Sequence, residues 1–395
     1  MSSRFEGGPG NAGRRRLLGG LAGLGSLAMG MELGLLIPAA RAAGCPVHSP
    51  DWQQFVHDHV QSDGRVVDFI NKDLRSTSES QSYALFFALV DNDPVLFERV
   101  LAWTRHNLSH GRPDLHLPAW LWGQDPEGQW RILDANTASD GELWIAYTLL
   151  EADRLWHRPG YREAALRILA LIRKEEVVDL PGLGPMLLPG KQGFVQNDRW
   201  TFNPSYLPLF VLRRLAAADP SGPWTAIARN SARLLRETCP KGFAADWVTW
   251  DGKRFTVDPA KGAIGSYDAI RCYLWAGMTA SDDPLRREWL RHLDGPVAML
   301  GRQGHLAERI DTRTGTGSGI APAGFSAALL PFLAVKNKPA LLEAQLSRLL
   351  SAKTPLPYYE RMLLLFGYGW HTRRFRFSTD GRLMPAWSSA CSASI

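Results

Sequence analysis

From residue 51 onward, apolar positions recur at helical spacing, and the segments that carry them are of two alternating kinds. One kind is apolar on most of its faces: 79–90 (ESQSYALFFALV), 141–156 (GELWIAYTLLEADRLW), 203–214, 266–277, 325–335 and 358–369. The other is amphipathic and charged: 51–61, 94–108, 160–175, 222–238, 283–294 and 339–351. A helix apolar all round is buried, whereas one with a single apolar stripe packs that stripe inward and turns the rest to water. The buried kind begins near 79, 141, 203 and 266, about 60 residues apart, and helix pairs at a fixed spacing build a solenoid or a closed toroid. Six inner and six outer helices, with no polar capping repeat at either end, predict closure. The expected fold is all-α, an (α/α)6 barrel over 44–395. A small β-hairpin is expected at 247–257, where Asp251-Gly252 separates WVTW from KRFTV. The Gly-rich TGTGSG (314–319) follows no strand pattern and holds no Lys, so it reads as a rim loop and not a phosphate loop. Residues 373–395 show no clear pattern.

The first 43 residues look like a targeting segment. Arg14, Arg15 and Arg16 precede a Gly-rich apolar stretch, and Ala40-Arg41-Ala42 offers a small-x-small cleavage site. The arginines and the weakly apolar core resemble a twin-arginine export signal, with an ordinary Sec signal as the alternative. Export to the periplasm or beyond is therefore expected, without stable membrane insertion, since no later stretch reaches the length of a spanning helix. The segment holds five Arg and two Glu, so it carries half of the chain's net charge of +6. What remains has no basic patch interleaved with aromatics, which argues against a nucleic-acid partner. Cys45, Cys239, Cys272 and Cys391 lack metal-binding spacing, so neither a metal nor another cofactor is expected; their pairing stays open.

The acids and unusual polar residues of the inner segments lie at or just before their N-terminal ends: Glu79, Asp140, Asn203, Asp268 and Tyr358. In an alternating barrel all inner helices point the same way, so these ends meet at one mouth. Each residue has an ordinary explanation. Asp140 and Asn203 suit N-caps, and Asp268 can pair with Arg271 three residues on. Ser76-Thr77-Ser78-Glu79 reads as a capping box, yet Ser78 to Gln81 offers a second box that leaves Glu79 free. Gathered on one rim among fifteen Trp and nine Tyr, they are better explained as a site. Two carboxyls with water between them suit glycoside hydrolysis: one protonates the leaving oxygen, the other activates water.

ASDGELWIAYTLLEA (138–152) resembles the signature of glycoside hydrolase family 8, A-[ST]-D-G-[DE]-x-x-I-A-[YF]-x-L-L, and SESQSYA, FNPSY and SYDAIR resemble its other blocks in the same order. The similarity runs from about 48 to about 372. With DWVTWDG and the export signal, it is closest to endoglucanases that accompany bacterial cellulose synthases. The resemblance implies an (α/α)6 barrel that hydrolyses β-1,4-glucans, xylans or chitosan with inversion. By the same resemblance Glu79 matches the general acid, Asp268 the general base and Asp140 a third acid that holds the sugar at the cleavage point. Trp120, Tyr206, Arg271, Tyr358 and Tyr359 resemble cleft residues, and Asn203 stands in the FNPSY block. The implied substrate is a β-1,4-glucan such as cellulose, with a cellulose synthase complex as a possible partner. The rival readings are a xylanase or chitosanase on the same scaffold, and a glucan-binding accessory protein that cuts little.

Overall fold

The computed structural model describes residues 48–352 and 356–390; the targeting segment, Cys45 and Cys391 lie outside them. Helix α1 (Pro50–His59) is an outer helix. Inner and outer helices then alternate: α2 (Ser78–Val90) with α3 (Pro94–Asn107), α4 (Ser139–Trp156) with α5 (Gly160–Glu175), and α6 (Leu209–Ala218) with α7 (Trp224–Thr238). Inner α8 (Ile270–Met278) is followed by two short outer helices, α9 (Arg286–His292) and α10 (Gly295–Gln303). Inner α11 (Ala323–Val335) pairs with α12 (Pro339–Leu350), and inner α13 (Tyr358–His371) precedes the short α14 (Ala386–Ala390). Neighbouring inner helices pack side by side from α2 to α4 to α6 and from α8 to α11 to α13. Phe210 of α6 meets Trp275 of α8, and Phe86 of α2 stacks on Phe366 of α13, which closes the ring. The fold is the (α/α)6 barrel that the pattern predicted.

The axis is filled by aromatic rings. Phe86, Trp144, Phe210, Trp275 and Phe366, one from each of five inner helices, lie with centroids 5.0 to 6.0 Å apart. Edge and offset contacts of this kind add roughly 0.5–1.5 kcal/mol per pair beyond the burial of the rings. Inner helices also touch backbone to backbone. A Cβ on Gly367 of α13 would stand 1.9 Å from the carbonyl oxygen of Ala327 in α11, so only glycine fits there.

The patternless C-terminal stretch is the floor of the barrel. Phe375–Phe377 pairs antiparallel with Leu383–Pro385, and Phe377 stacks on Phe210 at 3.9 Å. Tyr147 donates to the Gly381 carbonyl at 2.9 Å, and the Leu383 amide donates to Glu151 at 2.8 Å. The buried Glu151 is balanced by Arg154 and Arg214. Charge this deep needs such partners.

Other segments depart from the pattern. The third inner segment starts as a 3-10 turn, Pro204–Tyr206, and α6 begins only after Pro208. A helix is disfavoured at the residue before a proline, so Leu207 leaves helical geometry and splits the segment in two. The hairpin forms with Trp250 opposite Phe255, so Asp251–Arg254 make a four-residue connection. It is half of a four-stranded antiparallel sheet with 195–196 and 199–202. TGTGSG is not a plain loop, because Thr316–Ser318 pairs with Arg309–Asp311, which in turn pairs with Ile264–Gly265. Cys239 and Cys272 are buried free thiols. Among the described residues, no helix is long and apolar enough to cross a membrane.

Candidate active site

The start of α2 places Glu79. Thr77 is the N-cap: its hydroxyl accepts from the Ser80 amide at 3.0 Å, and Ser80 Oγ accepts from the Thr77 amide at 3.0 Å. This reciprocal box lies in a register that neither sequence-based box occupied. Gln81 does not cap; it is buried, accepting from the Val66 amide at 2.7 Å and donating to Thr104 at 3.0 Å. Glu79 is left free of capping in the first turn. Trp120 holds this start in place through its backbone, accepting from the Ser78 amide at 3.0 Å.

Asp140 stands in the first turn of α4, and Gly141 explains how it reaches Glu79. A Cβ on Gly141 would lie 2.7 Å from Ser78 Oγ and 3.1 Å from the Glu79 amide. The missing side chain lets the two helix starts touch. Asp140 is not an N-cap; its Oδ1 accepts from the next amide, Gly141, at 2.9 Å, while Oδ2 faces inward. Asp268 lies in the turn ahead of α8, which starts two residues later. The Ser266 hydroxyl, a candidate cap, donates instead to the Glu308 carbonyl at 2.7 Å.

All three acids converge on Arg271. One guanidinium nitrogen reaches Glu79, Asp140 at 3.2 Å and the Tyr83 hydroxyl at 3.2 Å; the other reaches Asp268 at 2.8 Å. Tyr206 presents its ring to the same guanidinium, 5.5 Å away. The side chains of Asp140 and Arg271 are 3% and 4% exposed, those of Glu79 and Asp268 22% and 30%. The buried pair therefore forms a base from which the other two acids open to the cleft.

The electrostatics follow this layering. Burial, then the charge of Glu79, pushes the Asp140 carboxyl well up from the usual range against the pull of Arg271. Burial also raises Asp268, opposed chiefly by Arg271 and by the Asn203 amide. Asn203 caps the 3-10 turn, its Oδ1 accepting from the Ser205 amide at 3.0 Å. Its Nδ2 is buried without a hydrogen-bond partner of good geometry, although it lies near enough to Asp268 to favour the charged form. Arg271 Nε and the Tyr358 hydroxyl are likewise buried and unsatisfied. Unpaired donors are uncommon in native interiors; these three belong to residues of the candidate site, and others lie elsewhere in the fold. Tyr359 donates to the Tyr267 carbonyl at 2.5 Å, beside Asp268. Tyr358 packs on Phe55 and His59 below the rim.

Tyr83 was not among the sequence candidates. Its signal was the helical spacing: it sits four residues after Glu79, on the same face. Glu142 and Glu176 were missed too. These fully buried carboxyls lie behind the Asp140 turn, where Thr137 donates to Glu176 at 2.5 Å and Glu142 accepts from the Ala138 amide at 3.2 Å. Among the described residues, no group of His, Cys, Asp and Glu could hold a metal ion.

An (α/α)6 barrel that gathers three carboxyls on one arginine suits a glycoside hydrolase. The sequence profile described as Glycosyl hydrolases family 8 matches residues 28–373, and the chain belongs to that family. It is 61% identical to an endoglucanase of Xanthomonas axonopodis pv. citri over 390 residues, covering 96% of this chain and 99% of the relative. An endoglucanase of Escherichia coli O157:H7 is 42% identical over 361 residues, 91% of this chain and 97% of the relative. Among solved structures, the endo-1,4-D-glucanase of Vibrio fischeri ES114 superposes with a TM-score of 0.80 at 41% identity, covering 86% of this chain and all of that one.

Proposed function

We propose that the protein is an endo-β-1,4-glucanase that cleaves internal bonds of cellulose-like chains with inversion, with Glu79 as general acid and Asp268 as general base. The observation that carries this reading is the convergence of Glu79, Asp140 and Asp268 on one guanidinium, with Glu79 and Asp268 open to the cleft. Endoglucanase relatives at 61% and 42% identity support the substrate class. In the reaction, Asp268 removes a proton from water as the water oxygen bonds to the anomeric carbon. The bond to the leaving oxygen breaks on the opposite face with its electron pair, and Glu79 delivers a proton to that oxygen. Burial and the charge of Glu79 raise the Asp140 carboxyl, and Arg271 opposes them. Asp140 and Arg271 position the sugar, Asn203, Tyr206, Trp120 and Tyr359 supply donors and aromatic faces around it, and the buried Tyr358, packed on Phe55 and His59, backs them.

The reading extends to cellular place: export through residues 1–43 to the periplasm, and action on glucan made by a cellulose synthase complex. The arginines 14–16 and the small-x-small site support export.

Reducing-sugar release from carboxymethylcellulose, compared with xylan and chitosan, tests the activity. The anomer first formed, followed by NMR, tests inversion. Glu79→Gln is expected to lower turnover by about 10²–10⁴-fold while oligosaccharide affinity is kept. Near wild-type turnover in that variant would remove Glu79 from its role.

A further inference from the structure

A fourth acid stands behind the general base. Asp246 precedes the Val248–Trp250 strand, and its own amide donates to the Ile264 carbonyl at 2.7 Å. Its Oδ1 accepts two backbone N–H groups, from Ser266 and from Ala269, both at 2.8 Å. These amides bracket Tyr267 and Asp268, so one carboxylate oxygen ties both ends of the turn that carries the base. We propose that Asp246 is a positioning residue for catalysis: by clamping the Ser266 and Ala269 amides at one oxygen, it sets the height and aim of the Asp268 carboxylate in the cleft. This rests on the reading of Asp268 as general base.

Local sequence does not supply this acceptor. The Ser266 hydroxyl is engaged with Glu308, and α8 begins with no side-chain cap on Ala269. The turn's other backbone ties include the Ile270 amide to the Ser266 carbonyl at 3.1 Å, the Arg271 amide to the Asp268 carbonyl at 3.1 Å, and the Cys272 amide to the Ala269 carbonyl at 2.9 Å. Its side-chain ties include the Tyr267 hydroxyl to Glu308 at 3.1 Å, the Tyr359 hydroxyl to the Tyr267 carbonyl, and the Arg271 guanidinium to the Asp268 carboxylate at 2.8 Å. None of these holds the amides of Ser266 and Ala269. With an alanine at 246, water can satisfy those amides but cannot fix their position.

The titratable and charged groups electrostatically coupled to Asp246 are Asp268, Arg271, Tyr359, Tyr273 and Cys272. Burial, then the charge of Asp268, pushes its carboxyl up to about 6. Its ionisation therefore adds a negative charge next to the base within the working pH range of many enzymes, although Asp246 touches no substrate in this reading.

The test measures kcat and KM on carboxymethylcellulose from about pH 5 to about pH 8, with Tm, for wild type, Asp246→Ala, Asp246→Asn and Asp268→Asn. A misplacement of about 1 Å costs on the order of 10²-fold. Asp246→Ala should accordingly lose about 10- to 100-fold in kcat with KM little changed. Asn keeps an oxygen for both amides, so Asp246→Asn should recover most of kcat and lose the inflection near pH 6. Asp268→Asn should be inactive. Wild-type kcat in Asp246→Ala beside an inactive Asp268→Asn would overturn the inference and leave the base assignment standing. So would an equal fall in both Asp246 variants accompanied by a fall in Tm. An active Asp268→Asn would instead overturn the base assignment, and this inference with it. If Asp246→Ala does not fold, Asp246→Ser decides, since its hydroxyl is too short to hold both amides: wild-type kcat in that variant overturns the proposal.

Discussion

Replacing Arg271 by methionine keeps an unbranched apolar stem and removes the cation that holds the three acids together. Its ion pairs span 3.2 Å to Asp140 and 2.8 Å to Asp268, and Glu79 makes the third. Unit charges about 4 Å apart attract by about 4 kcal/mol at an effective dielectric of about 20, and desolvation of the guanidinium offsets part of the total. Removing one partner of a buried ion pair typically costs about 3–5 kcal/mol, because the remaining charge is left uncompensated. A domain of about 350 residues unfolds with an entropy near 0.7 kcal/mol/K, so Tm should fall by about 4–7 °C. The sign of the pH dependence follows from the acids. Arg271 lowers both Asp140 and Asp268, which burial already raises. Without it, their folded-state values rise further above the unfolded ones. The folded state then holds more protons than the unfolded, and stability falls as pH rises. Differential scanning calorimetry should find a small deficit at about pH 5 and a larger one at about pH 8. Hydrolysis should be lost at both. A deficit of equal size at both pH values, or none, would refute the electrostatic role given to Arg271.

The buried Glu176, pushed up to about 8 chiefly by desolvation, should make the wild type lose stability as pH rises from about 4.5 toward about 8. Glu176→Gln keeps an acceptor for Thr137, so thermal melts should show it gaining on the wild type at about pH 8 relative to about pH 5; parallel profiles would contradict this. Gly367→Ala forces a methyl into the Ala327 carbonyl. It should lower Tm by several degrees, through overpacking of about 1–3 kcal/mol or more, and an unchanged Tm would show that α11 and α13 can part at little cost.

The barrel was legible because inner helices bury all their faces: α11 is almost uniformly apolar, and α2 is so from Tyr83 to Val90. The gathering of acids was legible for a topological reason, since inner helices share one direction. What the sequence left ambiguous was fine register. Ser76, Thr77, Ser78 and Ser80 are chemically near-equivalent caps, and the choice of Thr77 depends on where Trp120 pins the strand that precedes the helix. The role of Asp246 was out of reach because its partners lie 20 and 23 positions away, and no helical or strand period links them. The mouth sheets and the floor hairpin escaped for a similar reason. Strands of two to five residues are too short to show alternation.

The floor hairpin also governs the order in which the molecule can be completed. Trp387 donates to the Leu89 carbonyl across 298 positions, and the Gly381 and Leu383 backbones bond to Tyr147 and Glu151 across 234 and 232. Such long-range closures carry their loop entropy before any contact rewards them, which makes folding slow and strongly cooperative. A chain cut short before Phe375 would keep Glu79, Asp140 and Asp268 and still leave Phe210 without Phe377, the ring stacked on it. Catalytic competence therefore waits on a stretch of chain, at the far end of the barrel, that the substrate never meets.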